Sequence, residues 1–140
     1  MKTKPLILAS LVVMLALTGC FADINKVALG DEFQLKIGES AAIQGENLNI
    51  TFLEVLEDSR CPKNVTCIWA GRANSLVRIT ITDTTGDIEL IEPGLTDTPN
   101  QYTYRNYQIT YYLLPYPENA GESLEYHLLL KISPNMGKKE

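Results

Sequence analysis

The chain has 140 residues, 17 acidic and 12 basic side chains, a net charge of −5, three cysteines and one histidine. That length suits a single hydrophobic core rather than two. An acidic balance argues against nucleic acid and against electrostatic attachment to anionic lipid.

Lys2 and Lys4 precede a nearly wholly apolar run from Pro5 to Leu17, closed by Leu17-Thr18-Gly19-Cys20. A basic start followed by an apolar run of this length reads as a secretory segment, too short for a comfortable membrane span. The L-T-G-C ending resembles the lipobox of bacterial prolipoproteins, in which the cysteine is acylated and becomes the first residue of the mature chain. The resemblance implies a signal peptide over residues 1–19 and lipidation of Cys20. It implies covalent acyl chains in place of any cofactor. Each buried CH₂ contributes about 0.8 kcal/mol, so two or more chains anchor stably. Loss of Lys2 and Lys4 leaves ten basic against 17 acidic side chains, a mature net charge of −7. Phe21 follows the cysteine, where an aspartate would resemble an inner-membrane retention signal. The expected location is therefore the bacterial cell envelope, at the outer membrane of a two-membrane host, with the domain outside the cytoplasm.

Residues 20–30 carry little periodicity and read as a tether. From 31 to 134 the apolar residues recur every second position: Phe33, Leu35 and Ile37; Leu48, Ile50 and Phe52; Val77, Ile79 and Ile81; Leu124, Tyr126, Leu128, Leu130 and Ile132. This alternation predicts half-buried antiparallel strands. Turn residues at Gly38–Ser40, Gly45–Asn47 and Asp83–Asp87 separate the runs. Parity slips within Phe52-Leu53-Glu54-Val55, the mark of a β-bulge or of a strand changing its core partner. Seven or eight short strands predict an all-β domain, either an antiparallel β-sandwich of Ig-like general architecture or a small barrel. Residues 135–140 form a polar tail.

The segment Asp58-Ser-Arg-Cys-Pro-Lys-Asn-Val-Thr-Cys-Ile-Trp-Ala-Gly71 holds the other two cysteines. Zinc needs about four ligands, and two cysteines with a distant His127 do not supply them. Five intervening residues do not suit a thioredoxin-like pair. Export favours a disulfide between Cys61 and Cys67. Pro62, Lys63 and Asn64 supply turn chemistry for so small a ring. Trp69 is expected as a lid on the disulfide or on the end of the core. The pattern D-S-R-C-P-x-x-V-x-C-x-W-x-G-x-A, residues 58–73, resembles a motif of small exported bacterial β-domain proteins and lipoproteins, a resemblance that implies no particular activity. The loop reads as a staple or as a displayed recognition loop carrying Arg60 and Lys63.

Six of seven tyrosines lie between Tyr102 and Tyr116. A single strand through Tyr107 would turn Tyr107, Ile109, Tyr111 and Leu113 to the core. Tyr104, Asn106, Gln108, Thr110 and Tyr112 would share the opposite face, and aromatics interleaved with amides and hydroxyls suit a sugar or protein surface. No nucleophile stands in a recognisable catalytic setting, and no metal site is expected. The reading is a lipid-anchored envelope protein with a binding domain for a protein or an envelope glycan. Its alternatives are an inhibitor of an exported hydrolase, acting through residues 60–67, and a purely structural envelope component.

Overall fold

The computed structural model describes residues 24–96 and 98–137. The signal segment and Cys20 lie outside the described residues. Among the described residues nine strands form: β1 (Asn25–Ala28), β2 (Glu32–Lys36), β3 (Ser40–Gln44), β4 (Leu48–Asp58), β5 (Arg72–Ile81), β6 (Thr84–Pro93), β7 (Asn100–Tyr104), β8 (Tyr107–Leu114) and β9 (His127–Pro134). They make a five-stranded sheet in the order β1-β3-β4-β5-β6 and a four-stranded sheet in the order β2-β9-β8-β7. The two sheets pack as a sandwich, and the barrel alternative is not realised.

Period-two alternation builds the core. Leu35 from β2, Ile50 and Phe52 from β4, Val77 and Ile79 from β5, Leu90 from β6, and Leu128, Leu130 and Ile132 from β9 are all essentially inaccessible. Burial of one such side chain contributes about 1.5–3 kcal/mol, so the inner faces dominate stability. The parity slip is real: the β4–β5 register shifts between Phe52 and Glu54 and again between Val55 and Glu57. Each bulge carries one unpaired residue, which lets the long strand bend over the core.

Several boundaries differ from the sequence expectation. Asn25–Ala28, read as tether, is strand β1, parallel to β3 with Asn25 opposite Ala41. Only one of its residues, Val27, packs against the core, which is too faint a pattern for periodicity to detect. Ile37 lies past the end of β2 and is half exposed. The β5–β6 connection is Thr82-Asp83, with Thr82 at φ 53°, and Thr84–Asp87 belongs to β6. Asp87 there takes a bidentate pair of hydrogen bonds from Arg78 at 2.7 and 2.9 Å.

Candidate functional site

The end of the sandwich where β4 passes to β5 is cross-linked by backbone hydrogen bonds, close glycine contacts and a disulfide. Beyond the last β4–β5 pair, the Ser59 N–H donates to the Arg72 carbonyl at 2.8 Å and the Cys61 N–H to the Ala70 carbonyl at 2.9 Å. The two strands thus continue as a narrow neck. Gly71 sits in this neck at φ 70°, and a Cβ there would collide with the Ser59 carbonyl. Gly94, after β6, packs as closely on the Ala70 carbonyl, and its N–H donates to the Gly71 carbonyl at 2.9 Å. Above the neck, Cys61 and Cys67 are joined by a disulfide with a Cα–Cα distance of 5.9 Å, within the normal range. The ring is held from its other side too. Lys63 N–H donates to Pro117 O at 3.1 Å and Asn64 N–H to Glu118 O at 3.0 Å.

Arg60 lies beneath the ring, only 3% exposed. Its Nε and one Nη donate to the two carboxylate oxygens of Asp58 at 2.8 and 2.7 Å. The other Nη donates to Glu92 at 3.0 Å and to the Leu113 carbonyl at 2.8 Å. A fifth hydrogen bond, at 3.1 Å, reaches the Pro115 carbonyl. All five guanidinium N–H donors are therefore satisfied. Tyr116 stacks its ring 4.9 Å from the guanidinium carbon, donates its hydroxyl to Cys61 O and accepts from the Leu95 N–H. Tyr126 O–H donates to Asp58 at 3.0 Å, and the Leu113 N–H donates to the second Glu92 oxygen at 2.8 Å.

Two carboxylates around one guanidinium leave a buried excess of negative charge. Burial pushes the Glu92 carboxyl above the ordinary glutamate range, against the pull of the Leu113 N–H and of Arg60. Burial works against the Arg60 charge as well, but the hydrogen bonds and charge of Asp58, with those of Glu92, outweigh it and hold the guanidinium firmly protonated. Tyr126 is raised by burial and by the adjacent Asp58.

This corrects two sequence expectations. Arg60 is not displayed to a partner: it is a buried cross-link between the sheets. Trp69 is not a lid: it is 80% exposed, beside Ile68 at 94%. Leu95, on the β6–β7 turn, is 68% exposed and has φ 60°. Because Gly94 packs on Ala70, Leu95 and Trp69 lie on the same end of the sandwich. Lys63 is exposed as expected, its Nζ 5.9 Å from the Tyr116 ring. A cleft of about 300 Å³ beside the ring is lined by Asp58, Pro62, Pro117, Glu122, Leu124 and Tyr126. Its acidic groups already serve the protein. Asp58 accepts from Arg60 and Tyr126, and Glu122 from the Glu118 and Asn119 N–H groups.

The tyrosine segment is a hairpin rather than one strand. The chain reverses at Arg105-Asn106, with Arg105 at φ 53°, and Tyr104 pairs with Tyr107. Ile109, Tyr111 and Leu113 face the core as expected, with Tyr107 partly buried against it. The reversal puts Tyr104 on the inner side as well, its hydroxyl 3.2 Å from where a Gly86 Cβ would stand. Asn106 is an exposed loop residue. Gln108, Thr110 and Tyr112 do share the outer face of the four-stranded sheet. Thr110 lies opposite Gln101 and Lys131, Gln108 opposite Thr103 and Ser133, and Tyr112 opposite Leu129. Gln108 donates its amide to Gln101 at 2.7 Å. Among the described residues no group of three histidine, cysteine or acidic side chains is placed to hold a metal ion.

Missing from the sequence reading were Asp58, Glu92 and Tyr116 as partners of Arg60, Tyr126 as a partner of Asp58, and Ile68 and Leu95 as exposed apolar residues. Arg60 and its distant partners carry no shared local motif. The adjacent Ile68-Trp69 pair was the available signal, though such a pair ordinarily reads as core. No family model matches the chain, and neither a curated protein nor a solved structure matches it.

Proposed function

We propose that the chain is a lipid-anchored cell-envelope protein whose sandwich is a binding domain, with the outer face of the four-stranded sheet as its contact surface. The supporting observation is the composition of that face. Gln101, Thr103, Gln108, Thr110 and Ser133 occupy neighbouring outward positions, with Tyr112, Leu129 and Lys131 beside them. Amides and hydroxyls offer both donors and acceptors, and one aromatic ring supplies a stacking surface, a combination matched to a polysaccharide. An envelope glycan is thus favoured over a protein partner, whose interface would want a more apolar centre. Tyr104 and Arg60 drop out of this surface, because both side chains are engaged inside the sandwich. Burial of Arg60 also leaves Lys63 as the one basic side chain of the pair displayed on the loop, which weakens the inhibitor reading.

The test is sedimentation of the protein with purified cell-wall polysaccharide. Replacing Thr110 and Tyr112 by Ala and Ser should release the protein from the glycan with its thermal unfolding preserved. Equal retention of the variant and the parent would refute this surface.

A further inference from the structure

The exposed apolar residues at the disulfide end are unusual in their placement. Ile68 and Trp69 stand on a neck tied down by the Ser59–Arg72 and Cys61–Ala70 hydrogen bonds and capped by a disulfide. Leu95 occupies the left-handed region, where glycine or asparagine is the economical choice, and yet its side chain points into water. Its N–H is fixed by the Tyr116 hydroxyl at 3.1 Å, so the turn is held rather than loose. Three large apolar side chains are thereby carried outward on backbone that is locally cross-linked.

The path of the chain indicates what they meet. β1 is parallel to β3, and β3 is antiparallel to β4. Travelling backward from Asn25 therefore leads toward the end that carries Cys61, Trp69 and Leu95. Four residues lie between Cys20 and Asn25, so the sulfur-bearing residue can stand no more than about 17 Å from Asn25 even if the chain is fully extended. From Ile50, level with Asn25 through Ala41, β4 advances eight residues to Asp58, or about 26 Å. With so short a reach, an acylated Cys20 would keep the sandwich close to a bilayer, and the direction of β1 favours the disulfide end as the part that faces it. Tryptophan with flanking aliphatic side chains is the composition that settles in the membrane interface.

We infer that Ile68, Trp69 and Leu95 insert into the interfacial zone of the bilayer as a second membrane contact, which fixes the tilt of the domain on its lipid anchor. This rests on the lipid-anchored reading. Two exposed carboxylates, Glu118 and Glu122, outweigh the one exposed ammonium of Lys63 at this end, so no net positive charge draws it to acidic headgroups. Insertion should therefore occur on zwitterionic lipid and be indifferent to salt.

Trp69 is the chain's only tryptophan, so its fluorescence reports on this end alone. Full-length protein purified from membranes, its acylation determined by intact mass, would be reconstituted into phosphatidylcholine vesicles with acyl chains brominated near the headgroup. The inference predicts a blue-shifted emission, at least twofold quenching by the brominated lipid, and protection from aqueous acrylamide. Acylated protein whose Trp69 is unquenched by bromine and open to acrylamide would overturn the second contact and leave the anchor intact. So would acrylamide protection without bromine quenching, the signature of a protein covering this end. If the mass shows no acyl group, the anchor reading fails by itself. The second contact then stands or falls on whether Trp69 is quenched when the unacylated protein is mixed with the same vesicles.

Discussion

Arg60 and Leu113 are separated by 53 positions in the chain, yet the guanidinium of one donates to the carbonyl of the other at 2.8 Å. Asp58 and Glu92, which hold the same guanidinium, belong to the five-stranded sheet, whereas Leu113 belongs to the four-stranded sheet. One buried cation thus fastens the two layers at their disulfide end. It also positions the Cys61–Cys67 ring through Tyr116, which touches both Arg60 and the Cys61 carbonyl.

Removing the cation strands two buried carboxylates. Arg60→Met should cost about 3–5 kcal/mol, the usual result of breaking a buried pair from one side. Lys would not rescue it, because an ammonium has three donors and no planar fork to match Asp58. Urea unfolding of both variants checks this, with Lys63→Ala as the near-neutral control on the exposed ring.

Glu92 gives the fold a pH signature. Its carboxyl is raised in the native state, so the folded protein binds more protons than the unfolded chain at pH values above the ordinary glutamate value. Stability therefore falls as pH rises from there through the raised native value, and the penalty is complete above it. Glu57 and Asp87 act in the opposite sense and lower down: their depressed carboxyls lose stabilisation as the solution becomes strongly acidic. Glu92→Gln should lower overall stability, since its NH₂ replaces one of the two accepting oxygens and meets the N–H of either Arg60 or Leu113, and should flatten the slope above the ordinary glutamate value. Thermal melts across that range read the slope.

The disulfide closes a small ring, with a sequence separation of six. Its removal in a Cys61→Ser, Cys67→Ser double variant should cost about 2 kcal/mol by the loop-closure argument. The sandwich should survive, because the Ser59–Arg72 and Cys61–Ala70 backbone bonds and the Arg60 cluster remain. Far-UV circular dichroism with chemical denaturation would show an unchanged β spectrum and an earlier midpoint.

Trp69→Ala separates an exposed tip from a core lid. An 80%-exposed side chain should change stability by no more than about 0.5 kcal/mol, whereas a tryptophan packed on the core would cost about 3–5 kcal/mol. Differential scanning calorimetry distinguishes the two.

Strand positions were legible in the sequence because burial on one face forces a period of two, and the first of the two bulges in β4 showed as a slip of parity at Leu53, whereas the second, at Leu56, did not. β1 was illegible, having one inward residue and a parallel partner. The tyrosine run misled at one point. A two-residue reversal at Arg105-Asn106 restarts the parity count, so Tyr104 and Tyr107 share a face that a continuous strand would have denied them. Arg60 was misread for a different reason. A charged residue beside a cysteine looks exposed until its partners, brought from 32 and 53 residues away, are known. Tertiary contacts, not local pattern, decide the fate of such a side chain.

Membrane attachment through one sulfur underlies both the proposed function and the second membrane contact, and an intact mass of the protein extracted from its native membrane tests it directly. The account predicts a chain that starts at Cys20, carries acyl groups, and is lighter by two thiol hydrogens for the Cys61–Cys67 bond. A chain with an unmodified amino terminus and no added acyl mass would contradict it.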